Sequence, residues 1–161
     1  MKPSERPRRA RHRMRVISLA AVLLFASIAD AAEVVQSEIA VIDGGTIRVH
    51  GEMVHIVGID APKLGRAAHC GVERMLAARA ASRLRQIIRS GERVEVEGVA
   101  CSCRPGMDGA TGCADLRNCG ELKVDGVDAG DVLIAENLAH PYACGLHGCP
   151  RRKPWCPFET Q

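Results

Sequence analysis

The sequence has few aromatic residues: one Trp, one Tyr and two Phe make up 2% of its 161 residues. Because these rings are so scarce, we expect a core of aliphatic side chains. The sequence also lacks a strong excess of one charge, with 22 basic and 19 acidic residues. Seven of the basic and two of the acidic residues lie within residues 1–31, which leaves 15 and 17 in the remainder. This balance excludes a uniformly basic nucleic-acid-binding protein over residues 32–161 but allows a local basic groove.

Long hydrophobic runs are also lacking. The most apolar stretch, VISLAAVLLFASI at residues 16–28, has 13 residues, whereas a membrane-spanning helix needs about 20. A basic run at residues 2–15 precedes it, and the small residues Ala29 and Ala31 follow it. This order predicts a secretory signal peptide over residues 1–31, cleaved after Ala31, with a retained signal anchor as the alternative. We therefore expect an extracytoplasmic protein, periplasmic or secreted, with no membrane partner, and we predict no oligomer.

Cysteine is abundant, and all eight cysteines lie after residue 31. In an oxidising compartment an even number of cysteines predicts disulfides, here three or four, and the sequence does not select among the 105 possible pairings. A metal site is the alternative, because Cys144, His147, Cys149 and Cys156 cluster near the C-terminus. Their spacing matches none of the common zinc patterns, so we favour disulfides.

The hydrophobic periodicity predicts both strands and helices. Alternating and β-branched residues predict five strands, at residues 34–42, 46–50, 53–59, 93–99 and 121–124. Apolar residues at steps of three and four, including Val72, Leu76, Ala80 and Leu84, predict a helix over residues 70–88. Asp128 is typical of an N-cap for a second helix over residues 130–137. Between the first two strands, Asp43-Gly44-Gly45 predicts a turn whose glycines permit positive φ.

This order of elements predicts an α+β fold built on a β-barrel. Three strands, a helix, two strands and a helix match a five-stranded Greek-key barrel of OB type, with a helix between strands 3 and 4 and a C-terminal helix. We place this domain at residues 32–142. Residues 143–161 form a tail rich in Cys, Pro and basic residues, including the run Arg151-Arg152-Lys153. The tail has little periodicity, so we expect it either to be held by disulfides or to be mobile.

Three segments of the sequence resemble the staphylococcal-nuclease-like (thermonuclease) family. They are VIDGGTIRV at residues 41–49, VHIVGIDAPK at residues 54–63 and VDGVDAGDVLIAENLA at residues 124–139. The resemblance covers about residues 34–142 and implies an OB barrel with helices. It also implies an endonuclease that hydrolyses phosphodiester bonds in DNA and RNA, with calcium as cofactor and nucleic acid as partner.

The resemblance assigns roles to individual positions, and three of them differ from the family pattern. The second Asp of the family's DGDT turn is Gly45, the phosphate-binding Arg of the following strand is His55, and the Glu of its DAPE segment is Lys63. The metal-ligand positions that remain are Asp60 and Asp43. Counting back from the third segment places the family's second arginine at Arg117, without the family's preceding Tyr-Gly.

These substitutions predict an impaired calcium-dependent reaction, because a cation held by Asp60 near Lys63 has lost carboxylate ligands and gained a like charge. In a rewired site without metal, His55 acts as the base while Lys63 and Arg117 hold the phosphate. Another metal recruited by His50, His55 and His69 is a further alternative. Alternatively the protein is an inactive nucleic-acid- or polyanion-binding module, or a disulfide-stabilised interaction domain.

Each singled-out residue also has an ordinary structural interpretation. His55 fits a half-buried strand histidine, whereas Lys63 and Arg117 fit exposed loop charges. Tyr142 is our candidate for stacking on a substrate base, together with Trp155, but both rings also fit a role in filling the core or the tail. The basic run at residues 151–153 fits either a phosphate contact or a solubilising surface.

Overall fold

A computed structural model describes residues 32–101, 118–144 and 149–157. These ranges contain an α+β arrangement of two α-helices and nine strands. The predicted signal peptide, and Arg117 with it, lie outside the described residues. The elements in chain order are β1 Ala32–Glu33, β2 Ile39–Asp43, β3 Thr46–Val49, β4 Glu52–Ile56, β5 Gly58–Asp60, α1 Gly71–Ser90, β6 Val94–Val99, β7 Asn118–Val124, β8 Val127–Asp128, α2 Ala129–Ala135 and β9 His140–Tyr142.

Most strands belong to one mixed sheet, in which six strands follow the order β1-β6-β7-β4-β3-β2 and β8 pairs with β7. Neighbours are antiparallel except β4 and β7, which run parallel, with Val54 opposite Asn118. The two end strands of this order, β1 and β2, are separated along the chain only by residues 34–38. A second, small sheet joins β5 to β9.

The core is aliphatic, as the composition predicts. Its most deeply buried apolar side chains are Ile47, Leu84, Leu122, Leu133 and Val94. Helix α1 contacts β2 and α2 through a stripe of small and aliphatic residues: Ala77, Ala80, Ala81, Leu84, Ile87 and Ile88. The predicted stripe is wrong at its start, because Val72 is 40% exposed and the neighbouring Glu73 is 2% exposed.

Two predicted strands have different bounds in the structure. The first, predicted from residue 34, begins as β2 only at Ile39, because a 3₁₀ turn at Gln36–Glu38 precedes it, and the separate strand β1 lies before the predicted start. The third breaks at Val57, because Gly58 has a φ of +80° that redirects the chain into β5. The redirected strand leaves the main sheet and pairs with β9, which brings Asp60 opposite His140.

The turn between β2 and β3 uses its glycines differently from the prediction. Neither Gly44 nor Gly45 has a positive φ. Instead, a Cβ placed on Gly44 would lie 2.6 Å from the Cβ of Ala80 in α1. Glycine is therefore needed there for the close approach of turn and helix. The Asp43 carboxylate holds the turn by accepting the Gly45 N–H at 2.8 Å.

The predicted cap of the second helix is confirmed. The Asp128 carboxylate accepts hydrogen bonds from the N–H groups of Gly130 and Asp131, at 2.7 and 3.1 Å. These bonds satisfy two of the N–H groups that a helix start leaves without partners. Helix α2 is thus fixed in orientation directly after β8.

Disulfides are confirmed for six of the cysteines. They join Cys70 to Cys156, Cys101 to Cys119 and Cys144 to Cys149. The cysteines of the alternative zinc site are therefore committed to disulfides, while Cys103, Cys113 and His147 lie outside the described residues. Among the described helices, none has the length and apolar character to cross a membrane.

Candidate functional site

A cleft of about 580 Å³ lies between the end of β5, the start of α1 and the C-terminal tail. We refer to residues 149–157 as the strap, because they cross the domain without regular secondary structure. The body of the domain lines one side of the cleft with Asp60, Ala61, Lys63, His69 and Glu73. The strap lines the other side with residues 151–156.

The body side is fixed by a buried carboxylate at the first turn of α1. Glu73 accepts the backbone N–H of Lys63 at 3.0 Å and that of His69 at 2.7 Å. Its own N–H points to the Sγ of Cys70, the N-cap residue, at 3.4 Å. One side chain therefore clamps both ends of the loop at residues 63–69 to the helix, which holds Lys63 at the mouth of the cleft.

The strap is attached to the body by three contacts of different kinds. Cys156 is bonded to Cys70 at the start of α1. The guanidinium of Arg152 lies 3.3 Å from the carboxylate of Asp60 and 5.2 Å from the ring centre of Tyr142. Since a cation above an aromatic face is attracted by the ring quadrupole, Arg152 joins β5, β9 and the strap.

A stacked ring pair provides another attachment. The rings of His140 and Trp155 lie 3.9 Å apart and 13° from parallel. Burial lowers the pKa of His140, and nearby Lys153 lowers the pKa further, while Asp60 opposes both effects. His140 is therefore held toward its neutral form against the indole.

The charges around the cleft are predominantly positive. Four cationic side chains, Lys63, Arg151, Arg152 and Lys153, face two carboxylates, Asp60 and Glu73. The carboxylates are 6% and 2% exposed, whereas Arg152 is 54% exposed. Both carboxylates are also engaged, one with Arg152 and the other with two backbone N–H groups. The accessible charge of the cleft is thus cationic and suited to an anion.

The structure brings together some of the predicted site residues. Asp60 and Lys63 line the same cleft. Tyr142 lies beside it, under Arg152 and opposite Gly58 in the small sheet. Arg117 lies outside the described residues, so its predicted role stays a prediction.

Asp43 and His55 do not line the cleft. The carboxylate of Asp43 holds its own turn, and the Nδ1 of His55 lies 3.2 Å from the Thr46 hydroxyl on the neighbouring strand. The turn itself is close to the cleft, because a Cβ placed on Gly45 would lie 3.3 Å from the Cβ of Ala61. Two of the segments that carry the family resemblance, at residues 41–49 and 54–63, are therefore neighbours in space at this point.

The candidate metal ligands among the described residues do not gather at one place. Over these ranges, no three His, Cys, Asp or Glu side chains converge as a metal site would require. His50 pairs with Glu38 at 3.1 Å, whereas His69 lines the cleft, so these two members of the alternative histidine site have different neighbours. Calcium takes six to eight oxygen ligands, while Asp60 is paired with Arg152 and Gly45 offers no side-chain oxygen. The described donors do not fit a calcium site.

The sequence does not predict three features of the cleft: the role of Glu73, the partner of Arg152 and the support of Trp155. Glu73 lies three positions after the N-cap, the position of the acidic residue in a capping box, but its carboxylate accepts the N–H groups of Lys63 and His69, which that spacing does not predict. Arg152 stands out in the sequence only as part of a basic run, and its pairing with Asp60 has no local signature. The sequence makes Trp155 a stacking candidate, but its position depends on the disulfide of the adjacent Cys156.

No protein-family model matches this sequence, and no curated protein matches it significantly.

Proposed function

We propose that the protein is an exported, disulfide-stabilised OB-type domain that binds nucleic acid as single strands through the cleft. The observation that carries this proposal is the cationic cleft between the body and the strap. We further propose that the domain is a relative of the thermonuclease family that has lost calcium-dependent hydrolysis.

The strand pairing supports the barrel and the family. An OB barrel contains one parallel strand pair among antiparallel ones, and the β4–β7 pairing supplies such a pair here. The same N-terminal segment pairs with β6 through β1 and with β3 through β2. One bent strand that bridges both edges in this way would close the sheet. The helix between β5 and β6 agrees with the order of elements expected for an OB-type barrel, in which a helix lies between strands 3 and 4.

The charges support binding to a phosphate polymer. Phosphate groups supply most of the affinity in non-specific nucleic-acid binding through contacts with Lys and Arg. Lys63 and the strap cations lie on opposite sides of one cleft, so they suit a backbone that passes between them. OB folds combine such a positive groove with aromatic side chains.

The substitutions support loss of the calcium-dependent reaction. In the family pattern a glutamate acts on the attacking water, and Lys63 at this position is a cation. Removing a general base costs about 10²- to 10⁴-fold in rate. Asp60 retains its carboxylate, but Arg152 already neutralises it. Lys63 in place of this glutamate therefore removes the group that acts on water and adds a cation that contacts phosphate.

The test uses oxidised, exported protein with labelled single-stranded DNA and RNA, in calcium and in chelator. We expect salt-sensitive binding in both conditions and no cleavage. The triple variant Gly45→Asp, His55→Arg, Lys63→Glu is run beside it to ask whether the scaffold supports cleavage. Calcium-dependent cleavage by the natural protein would contradict the proposal. Cleavage that survives chelator and is lost in His55→Ala would identify the metal-free nuclease instead.

A further inference from the structure

The single tryptophan and the single tyrosine of this protein lie at or beside the cleft. The chain has one Trp and one Tyr. Trp155 lines the cleft, and Tyr142 lies beside it under the guanidinium of Arg152. The most deeply buried core side chains are aliphatic, so these two rings are not needed to fill the centre of the domain.

Trp155 is positioned by packing. His140 covers one face of the indole at 3.9 Å but does not line the cleft. The indole Nε1–H is buried and has no acceptor among the described residues. The ring is therefore supported by His140 on one face, and Trp155 itself contributes to the lining of the cleft.

The dimensions of the cleft limit what enters it. Pockets for small ligands measure about 300–1,000 Å³, and this cleft measures about 580 Å³. A space of this size suits a single nucleotide unit. A base within a duplex would have to unpair and leave the base stack to reach Trp155.

Resting on the proposed function, we propose that the cleft takes one unpaired nucleotide, whose base extends the His140–Trp155 stack. The phosphates on either side of that base contact Lys63 on the body and Lys153 on the strap. Stacking is tolerant of base identity, because each base presents a π face. The ligand class is therefore single-stranded nucleic acid with bases, as distinct from a base-free polyanion such as polyphosphate.

The test compares two labelled probes with equal numbers of phosphates: oligothymidylate and an oligomer of abasic sites. Stacking of one base contributes about 1–3 kcal/mol, which corresponds to about 5- to 150-fold in affinity. We expect the natural protein to prefer oligothymidylate within this range. Trp155→Ala should remove the preference, and Trp155→Phe should retain most of it. Thermal unfolding of each variant checks that it is folded.

Intrinsic fluorescence gives a second readout, because Trp155 is the only tryptophan of the chain. Oligothymidylate should change its emission, and the abasic oligomer should leave it unchanged. Equal affinity for both probes without an emission change would overturn the inference while the proposed function stands. Failure to bind either probe at low salt would overturn the proposed function itself.

Discussion

At the scale of single residues, the pairing of Asp60 with Arg152 determines the character of the cleft. Asp60 is nearly buried and would attract a cation from solution if it had no partner. Arg152 supplies that cation from within the chain at 3.3 Å. Because Arg152 is tethered by the strap, the carboxylate is neutralised without a metal ion. The remaining cations of the cleft then determine what it binds.

The first prediction concerns the charge of Asp60. Asp60→Asn should strengthen oligonucleotide binding, because Arg152 is released from its partner and becomes available to phosphate. An ion pair with one exposed partner, such as Asp60 with Arg152, contributes up to about 1 kcal/mol. We therefore expect the affinity for the oligonucleotide to increase by about two- to fivefold. The measurement is the dissociation constant from fluorescence anisotropy.

Glu136→Gln is the matched control for Asp60→Asn. It removes the same charge from an Arg–carboxylate pair, that of Glu136 with Arg83, and neither residue lines the cleft. We expect little change in its affinity. If Asp60→Asn instead weakens binding, the carboxylate has a direct role in holding ligand and our assignment is wrong.

The second prediction concerns pH and His140. Its pKa in the folded protein is lowered, chiefly by burial, so the unfolded chain binds more protons. Stability should therefore rise with pH below about pH 6.5 and lose this dependence above it. Thermal unfolding from pH 5 to pH 7.5 measures the effect. His140→Phe keeps a ring on Trp155 and should show a weaker pH dependence; an unchanged dependence would contradict the assignment.

At the scale of elements, close contacts set the relative positions of the β2–β3 turn, α1 and the strap. The turn approaches α1 at Gly44, and the strap is bonded to α1 at Cys70. Glu73 in the first turn of α1 holds the loop that presents Lys63. Helix α1 therefore serves as the common support of both sides of the cleft.

The third prediction tests the contact between turn and helix. Gly44→Ala places a methyl group 2.6 Å from the Cβ of Ala80, and neither atom can rotate away. We expect a loss of about 1–3 kcal/mol in the free energy of unfolding, measured by urea denaturation. Gly71→Ala is the control, because nothing lies within 4 Å of a Cβ at that position. If the double variant Gly44→Ala/Ala80→Gly is more stable than Gly44→Ala, the contact with Ala80 is the cause of the loss. Equal stability of Gly44→Ala and Gly71→Ala would contradict the prediction.

The fourth prediction concerns the strap disulfide. In Cys70→Ser/Cys156→Ser the strap loses its covalent attachment, and with it the cleft loses the fixed positions of Arg151, Arg152 and Lys153. We expect oligonucleotide affinity to fall by at least about tenfold, the effect of several lost phosphate contacts. Binding is measured at a temperature where thermal unfolding shows the variant to be folded.

Cys101→Ser/Cys119→Ser is the control for the strap disulfide. Both double variants should lose stability, by up to about 3–5 kcal/mol on the chain-entropy account. Cys101 and Cys119 do not line the cleft, so their loss should leave the affinity of the folded protein unchanged. Equal losses of affinity in the two variants would show that the strap has no specific role.

The sequence predicts the local features of these elements and misses the distant ones. The helical stripe around Leu84 and the cap at Asp128 depend on residues close in sequence, and the structure confirms both. The separate strand β1 and the break at Val57 depend on pairing with strands far along the chain. For the site, Asp60 and Lys63 are near neighbours in sequence. The contribution of Arg152 required one particular disulfide pairing, which spacing alone does not select.

At the scale of the whole molecule, the distribution of charge carries more information than its total. Residues 32–161 have a slight acidic excess, yet the cleft gathers four cations around two engaged carboxylates. A local field of this kind attracts an anionic polymer to one place on an otherwise balanced surface. Binding should therefore depend on the cleft cations and not on the arginines of α1.

The salt dependence of oligonucleotide binding tests this central claim most directly. For single strands the slope of log affinity against log salt changes by about 0.7 per phosphate contact. Lys63→Gln/Lys153→Gln removes one cleft cation from the body and one from the strap, so the slope should become shallower by about 1.4. Arg74→Gln/Arg79→Gln removes the same charge from exposed positions of α1 outside the cleft, and its slope should match that of the natural protein. An unchanged slope in the lysine variant, or an equal change in both variants, would contradict the account.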